Sequence, residues 1–218
     1  MKRLTNLHII KIGFISAAVL VLANPAMTSA AITYNFQGIT NNNPRDVAIG
    51  ARQLSVDVSD AGRGRVLFNF LNVGRQDCSI TQIYFDDDAS LLTGFAERPY
   101  SPDRGVSFSV NARAPNLPGG RSLDNKFIAD YSLGANSPVQ PNGINPGESL
   151  FVTLGYRRDA NFRAIIRAIN TNQLRIGIHV QGYESGGSES YIVPEPTSIM
   201  LTSLGTLLVG VVKRRKKA

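Results

Sequence analysis

Between Leu54 and Val180, apolar side chains recur at every second position in short runs broken by turn residues. Leu54, Val56 and Val58 alternate in RQLSVDVS, and Val66, Phe68 and Phe70 in GRVLFNFLNV. Val106, Phe108 and Val110 alternate in GVSFSVNA, and Leu174, Ile176, Ile178 and Val180 in LRIGIHVQG. In SITQIYFD, Ile80, Gln82 and Tyr84 oppose Thr81, Ile83 and Phe85. Successive side chains of an extended strand point to opposite faces, so each run offers one face to a core and the other to water. ITYNFQ, KFIADYSL and ESLFVTLGY add further strands. DAGRG, PNLPGG, NSPVQPNGINPGES and GYESGGSES carry the Gly, Pro, Asn and Asp residues that turns demand.

This pattern predicts an all-β fold: an antiparallel β-sandwich of about eight strands, jelly-roll or Ig-like in kind. One segment departs from period two. In DANFRAIIRAINTNQ, Phe162, Ile165, Ile166 and Ile169 fall at i, i+3, i+4 and i+7. That spacing predicts one short amphipathic helix near 159–170, capped by Asp159 and packed over an open end of the sandwich. Arg163 and Arg167 fall on its outer face as solvated charges, with binding of an acidic polymer as the other reading.

The two ends follow a different logic. MKRLTNLHIIKIGFISAAVLVLANPAMTSAA opens with basic residues, continues with an apolar stretch from Ile12 to Ala23, and closes on small residues at Thr28 to Ala31. This is the layout of a signal peptide over 1–31, cut by signal peptidase after Ala30 or Ala31. At the other end, Thr197 to Val212 carries no charge and precedes Lys213, Arg214, Arg215, Lys216 and Lys217. As a helix this stretch measures about 24 Å, short for a membrane but able to cross a thinned one with snorkelling lysines. The basic cluster behind it predicts a cytoplasmic C-terminus, which leaves the middle of the chain outside. The expected organisation is therefore a signal peptide at 1–31, an extracytoplasmic sandwich at 32–185, a Gly/Ser linker at 186–193, and an apolar and basic membrane tail at 194–218.

Formal charge supports the division. The net charge is +7, from 23 basic and 16 acidic residues. Eight of the basic residues are Lys2, Arg3, Lys11 and the C-terminal five, and without them the remaining cations are fewer by one than the acids. A nucleic-acid module needs a basic surface to replace counterions, so no nucleic-acid partner is expected.

The tail combines Pro194-Glu195-Pro196, a short apolar run and the basic cluster. That combination resembles the bacterial PEP-CTERM sorting signal over about 25 residues at the C-terminus. The resemblance implies export, transient anchoring by the terminal helix, and processing near Pro194, Glu195 and Pro196 by a membrane exosortase. Release or attachment at the cell surface would follow, often in bacteria that make exopolysaccharide. Arginine usually leads the basic tail of that family, whereas here lysine is mixed in. The two prolines hold the segment extended and remove backbone donors, which suits a protease cleft.

Candidate chemistry in the middle is sparse. Asp86, Asp87 and Asp88 close a strand and suggest a Ca²⁺ site, with Asp57 or Asp60 as further donors, although the spacing is not that of an EF-hand loop. Solvated turn carboxylates are the alternative. His179, the one histidine after the signal peptide, lies on the strand face opposite Ile178 and Val180, as a surface or polar-network residue. Cys78, the one cysteine, reads as a small buried hydrophobe, with an intermolecular disulfide or a reactive thiol as the other readings. Ser185 in GYESGGSE lacks the flanking signatures and reachable histidine of a serine hydrolase. Glu148, Glu184 and Glu189 are the candidate carboxylates for a secreted hydrolase.

These features predict an exported, non-enzymatic bacterial surface or matrix protein, structural or adhesive in an exopolysaccharide setting. A carbohydrate-binding module is the alternative. The chain has no tryptophan, but Tyr100, Tyr131, Tyr156, Tyr183 and Tyr191 could stack on sugars.

Overall fold

The computed structural model describes residues 30–112 and 114–194. The expected signal peptide up to residue 29, Glu195, Pro196, the apolar run and the basic cluster lie outside the described residues. No helix among the described residues is long and apolar enough to cross a membrane.

The chain folds as two antiparallel sheets around one main core. In chain order the strands are β1 (Ile32–Asn35), β2 (Gln37–Gly38), β3 (Leu54–Gly62), β4 (Arg65–Asn72), β5 (Ser79–Asp86) and β6 (Leu92–Phe95). They continue with β7 (Phe108–Val110), β8 (Tyr131–Ala135), β9 (Ser149–Tyr156), β10 (Arg175–Gln181) and β11 (Glu189–Ile192). The first sheet has the order β1-β3-β4-β9-β6, and the second β2-β11-β10-β5-β8-β7. The expected alternation is plainest in β4, where Val66, Phe68 and Phe70 are fully buried and Arg65, Leu67, Asn69 and Leu71 face outward. Each such apolar side chain contributes about 1.5–3 kcal/mol on burial. The β3–β4 hairpin pairs Gly62 with Arg65, so Arg63 and Gly64 form its two-residue loop. Both have positive φ, 55° and 72°, as a type I′ turn requires.

The second sheet is covered on both sides. Ile80, Ile83, Phe85, Ile176 and Ile178 belong to the main core. Tyr84 instead joins Leu117 and Phe127 in a second, smaller cluster. The segment 114–130 supplies this cover over the outer face. It approaches so closely at β10 that a Cβ on Gly177 would lie 2.7 Å from Leu117 Cδ2. Asp86 and Arg175 fasten the cover. The Arg175 guanidinium bonds the Asp86 carboxylate and the carbonyls of Asn125 and Lys126, both at 2.7 Å. Its Cζ lies 5.4 Å from the Phe127 ring centroid. Ile128 N–H donates to Asp86 Oδ2 at 2.6 Å.

Three expectations are corrected. The described residues hold two α-helices, α1 (Pro44–Gln53) and α2 (Phe162–Asn170), where one was expected. In α1, Asn43 caps and Pro44 starts the helix, but its apolar stripe is thin. It docks through Gly50, where a Cβ would fall 2.3 Å from the Tyr191 hydroxyl. In α2 the cap is Asn161, whose side chain accepts from Ala164 N–H, not Asp159, which forms a surface pair with Arg157. Ile165, Ala168 and Ile169 are its buried residues. Finally, 186–193 is not a linker. Gly186 belongs to a turn, and Glu189–Ile192 forms β11 between β2 and β10. Tyr191 is fully buried there, and Val193 N–H still bonds Ile176 O at 3.0 Å. Cross-strand pairing on both sides outweighs the Gly/Ser character of the preceding turn.

Candidate functional site

Among the described residues, the outer face of the first sheet has no covering segment comparable to 114–130, and it carries the exposed ring of Tyr100. Beyond β6 the chain stays beside β9: Ala96 N–H bonds Thr153 O at 2.9 Å, and Tyr100 and Phe151 exchange backbone bonds of 3.0 and 2.8 Å. This pairing sets the Tyr100 and Phe151 rings side by side, centroids 6.3 Å apart and planes 24° from parallel. Tyr100 is 63 % exposed. With Leu67, Arg65, Arg98 and Thr153 the pair lines a shallow hollow of about 430 Å³. Asn69 sits opposite Phe151 in the strand register, and its Oδ1 is buried with no partner among the described residues.

A second hollow encloses about 570 Å³. It lies where the β3–β4 turn meets the end of β9 and is lined by Arg63, Thr93, Tyr156, Arg157 and Arg158. Local backbone bonds build it: Tyr156 N–H to Gly64 O at 2.8 Å, and Arg157 N–H to Leu91 O at 2.9 Å. Arg157 is held by a bidentate pair with Asp159 at 3.0 and 2.9 Å, and Arg65 is paired with Glu97. Arg63, Arg98 and Arg158 form no ion pair with any carboxylate among the described residues. Burial, and after it the Asp60 carboxylate, raises the Tyr156 phenol above its ordinary value.

The other sequence-derived candidates are dispersed. Asp86 is buried against Arg175; Asp87 Oδ2 accepts from Leu92 N–H at 2.6 Å; Asp88 is 57 % exposed and 3.7 Å from Arg175. Three adjacent carboxylates thus enter three different surroundings. Asp57 accepts from Thr33, and Asp60 from Gly62 N–H. Among the described residues, no three His, Cys, Asp or Glu side chains gather as a metal site would need. His179 is buried, with Nδ1 3.1 Å from Ser190 Oγ, and burial lowers its pKa against the pull of Glu189. Ser185 Oγ donates to Asp46 rather than to a histidine. Glu148 accepts from Asn145, Glu184 pairs with Arg45, and Glu189 accepts from Thr40 and Asn43. Cys78 is buried, its Sγ 3.0 Å from Gln53 Nε2, and burial pushes the thiol up to about 11.

The five candidate tyrosines also separate. Tyr183 and Tyr191 are buried and share a hydrogen bond of 2.7 Å, so neither ring is available to a ligand. Tyr131 packs edge-on against Phe95 and donates to Leu92 O. Tyr100 and Tyr156 line the two hollows. Sequence reasoning missed Phe151 as Tyr100's partner and Arg65 and Arg98 beside it; the outward position of Arg65 in the β4 alternation was the available signal. Of the expected processing motif only Pro194 is described, half-buried and separated from β11 by Val193.

No family model matches this chain, and no curated protein and no solved structure is significantly similar to it.

Proposed function

We propose that this chain is an exported, non-enzymatic bacterial surface or matrix protein that adheres to polysaccharide through the outer face of its first sheet. The observation that supports adhesion is the Tyr100–Phe151 ring pair, open to solvent on a sheet face and rimmed by Arg, Thr and Glu side chains. An exposed ring flanked by hydrogen-bonding groups matches a sugar, which has apolar C–H faces and a polar edge. In this reading signal peptidase removes 1–31 and an exosortase acts near Pro194, Glu195 and Pro196. The membrane helix at 197–212 holds the chain until then, and the basic cluster keeps its end in the cytoplasm.

Two measurements test the reading. Retention on a panel of immobilised glycans should be seen for the wild-type chain and lost in Tyr100→Ala; absence of retention on every glycan would refute adhesion. Intact mass of the protein from surface and medium fractions of its host should lack both the first 30 or 31 residues and everything beyond the Pro-Glu-Pro. A mass that still contains Lys213 to Lys217 would make the tail an ordinary anchor.

A further inference from the structure

We infer that the polymer held on this face is a neutral pyranose chain laid across the strands, stacked at one end on Tyr100 and Phe151 and hydrogen-bonded further along by Asn69 and Asp57. The inference rests on the glycan reading above and adds the class of sugar, its direction and two specificity residues. Strand register carries it. Tyr100 bridges to Phe151, Phe151 pairs with Asn69, Asn69 with Asp57, and Asp57 with Thr33. Directly opposed residues of antiparallel strands share one face of the sheet. The register shift of the β3–β4 pair falls beyond this row, between Asp60 and Gly62. Contacts at both ends agree with a common face: the Tyr100 and Phe151 rings are 6.3 Å apart, and Thr33 Oγ1 donates to Asp57 Oδ1 at 2.6 Å. Thr33 and Tyr100 are exposed, and the three residues between them are half-buried.

Five neighbouring segments span about 19 Å at about 4.8 Å per strand, room for about four pyranose rings. The polar part of the row has bonding capacity to spare. The Asn69 side-chain amide has no hydrogen bond to any described residue, and its Oδ1 is shut off from water. A polar atom kept in that state is costly, and rotation of the amide turns it to a ligand hydroxyl that supplies the missing bond. Asp57 gives one oxygen to Thr33 and keeps Oδ2 free of any described donor. Both residues therefore ask for donors, which sugar hydroxyls provide. Charge selects among sugars. Asp57 is the one charged residue of the row, and it is negative. Arg65 is paired with Glu97 and lies four residues along β4 from Asn69, about 13 Å. Arg98 flanks only the aromatic end. A uronate chain would bring its carboxylates against Asp57, where like charges repel. An apolar partner would leave Asn69 and Asp57 without donors.

The test uses the full chain, exported by a bacterial host and extracted in mild detergent. The probes are cello-, manno- and xylo-oligosaccharides, each as dimer and pentamer, with pentagalacturonate as the anionic comparison. The variants are Asp57→Asn with Asn69→Ala, the same two changes singly, and Tyr100→Ala; thermal melting checks that each is folded. In the wild type at least one neutral pentamer should bind about tenfold or more tighter than its dimer, as added hydrogen bonds along the row allow. The double variant should bring that pentamer down to the dimer's affinity and leave the dimer unchanged, with each single variant between. Tyr100→Ala should weaken dimer and pentamer alike. Equal wild-type affinity for dimer and pentamer overturns the inference without any variant and leaves the glycan reading standing. So does a length preference that survives in the folded variants, single or double, or pentagalacturonate bound as tightly as the best neutral pentamer. Binding to none of the neutral probes, with glycan-panel retention intact, overturns the inference alone; loss of both removes the glycan reading as well.

Discussion

Replacing Asp86 by alanine tests how the cover over the second sheet is held. Asp86 and Arg175 have side chains 1 % and 4 % exposed, so the substitution strands a guanidinium away from water. Removing one partner of a buried ion pair costs about 3–5 kcal/mol, because the remaining charge is desolvated and unpaired. Two features moderate this. Arg175 keeps the Asn125 and Lys126 carbonyls and the Phe127 ring. Asp88 lies 3.7 Å away, but it is more than half exposed, and such a screened pair returns at most about 1 kcal/mol. Against that, Ile128 N–H loses its acceptor. The expected net loss is about 2–4 kcal/mol, a large part of the about 5–15 kcal/mol that stabilises a domain. The chain lacks tryptophan, so urea unfolding is best followed by far-UV circular dichroism. Asp86→Leu with Arg175→Met, which removes both charges, should recover at least about half of the loss. A loss below about 1 kcal/mol in Asp86→Ala, or a double variant no more stable than the single, would refute the assignment of the pair as the fastener.

Three further outcomes follow from the same packing. Burial raises the phenols of Tyr84, Tyr183 and Tyr191 well above the ordinary value; the folded chain keeps protons that the unfolded chain loses, so stability should be intact below about pH 10 and fall as pH rises further. Absorbance at the tyrosinate band checks this, and three phenols ionising in the folded state near their ordinary value would contradict it. Cys78, with its thiol at about 11, should be on the order of 0.1 % thiolate at pH 8, so a thiol reagent should label it only as fast as the chain unfolds; rapid labelling of folded protein would show an open path to the sulfur. Asn161→Ala should cost about 1 kcal/mol as the loss of a helix cap, and Asp159→Ala under about 0.5 kcal/mol as the loss of an exposed pair; urea midpoints in the opposite order would restore Asp159 as the cap.

Local pattern was a good guide wherever one residue's neighbours in sequence were also its judges in space. The alternation of Val66, Phe68 and Phe70 marks a strand with one buried face, DAGRG marks a turn, and Phe162 to Ile169 marks a helix; all three are present. Alternation states which side a residue points to, not what lies on that side. His179 reads as lying opposite Ile178 and Val180, yet it is buried there, and Tyr84, whose side the alternation leaves open, packs with Leu117 and Phe127 of the returning segment 114–130. β11 was hidden for a related reason: a short strand after a Gly/Ser turn has little local signature and is defined by its pairing with β10 and β2.

The candidate site divides in the same way. The order of residues alone determined that the chain has a β-rich middle between two ends of different composition, and that this middle has almost no net charge. Only the tertiary structure decided that Tyr100 meets Phe151, that Arg63 and Arg158 share a hollow while Arg157 and Arg65 are neutralised, and that Asp86 belongs to Arg175, 89 residues away. Each of these is a contact between strands or loops distant in the chain. Periodicity carries no record of such contacts, since they are set by sheet order, register and the path of the covering loop.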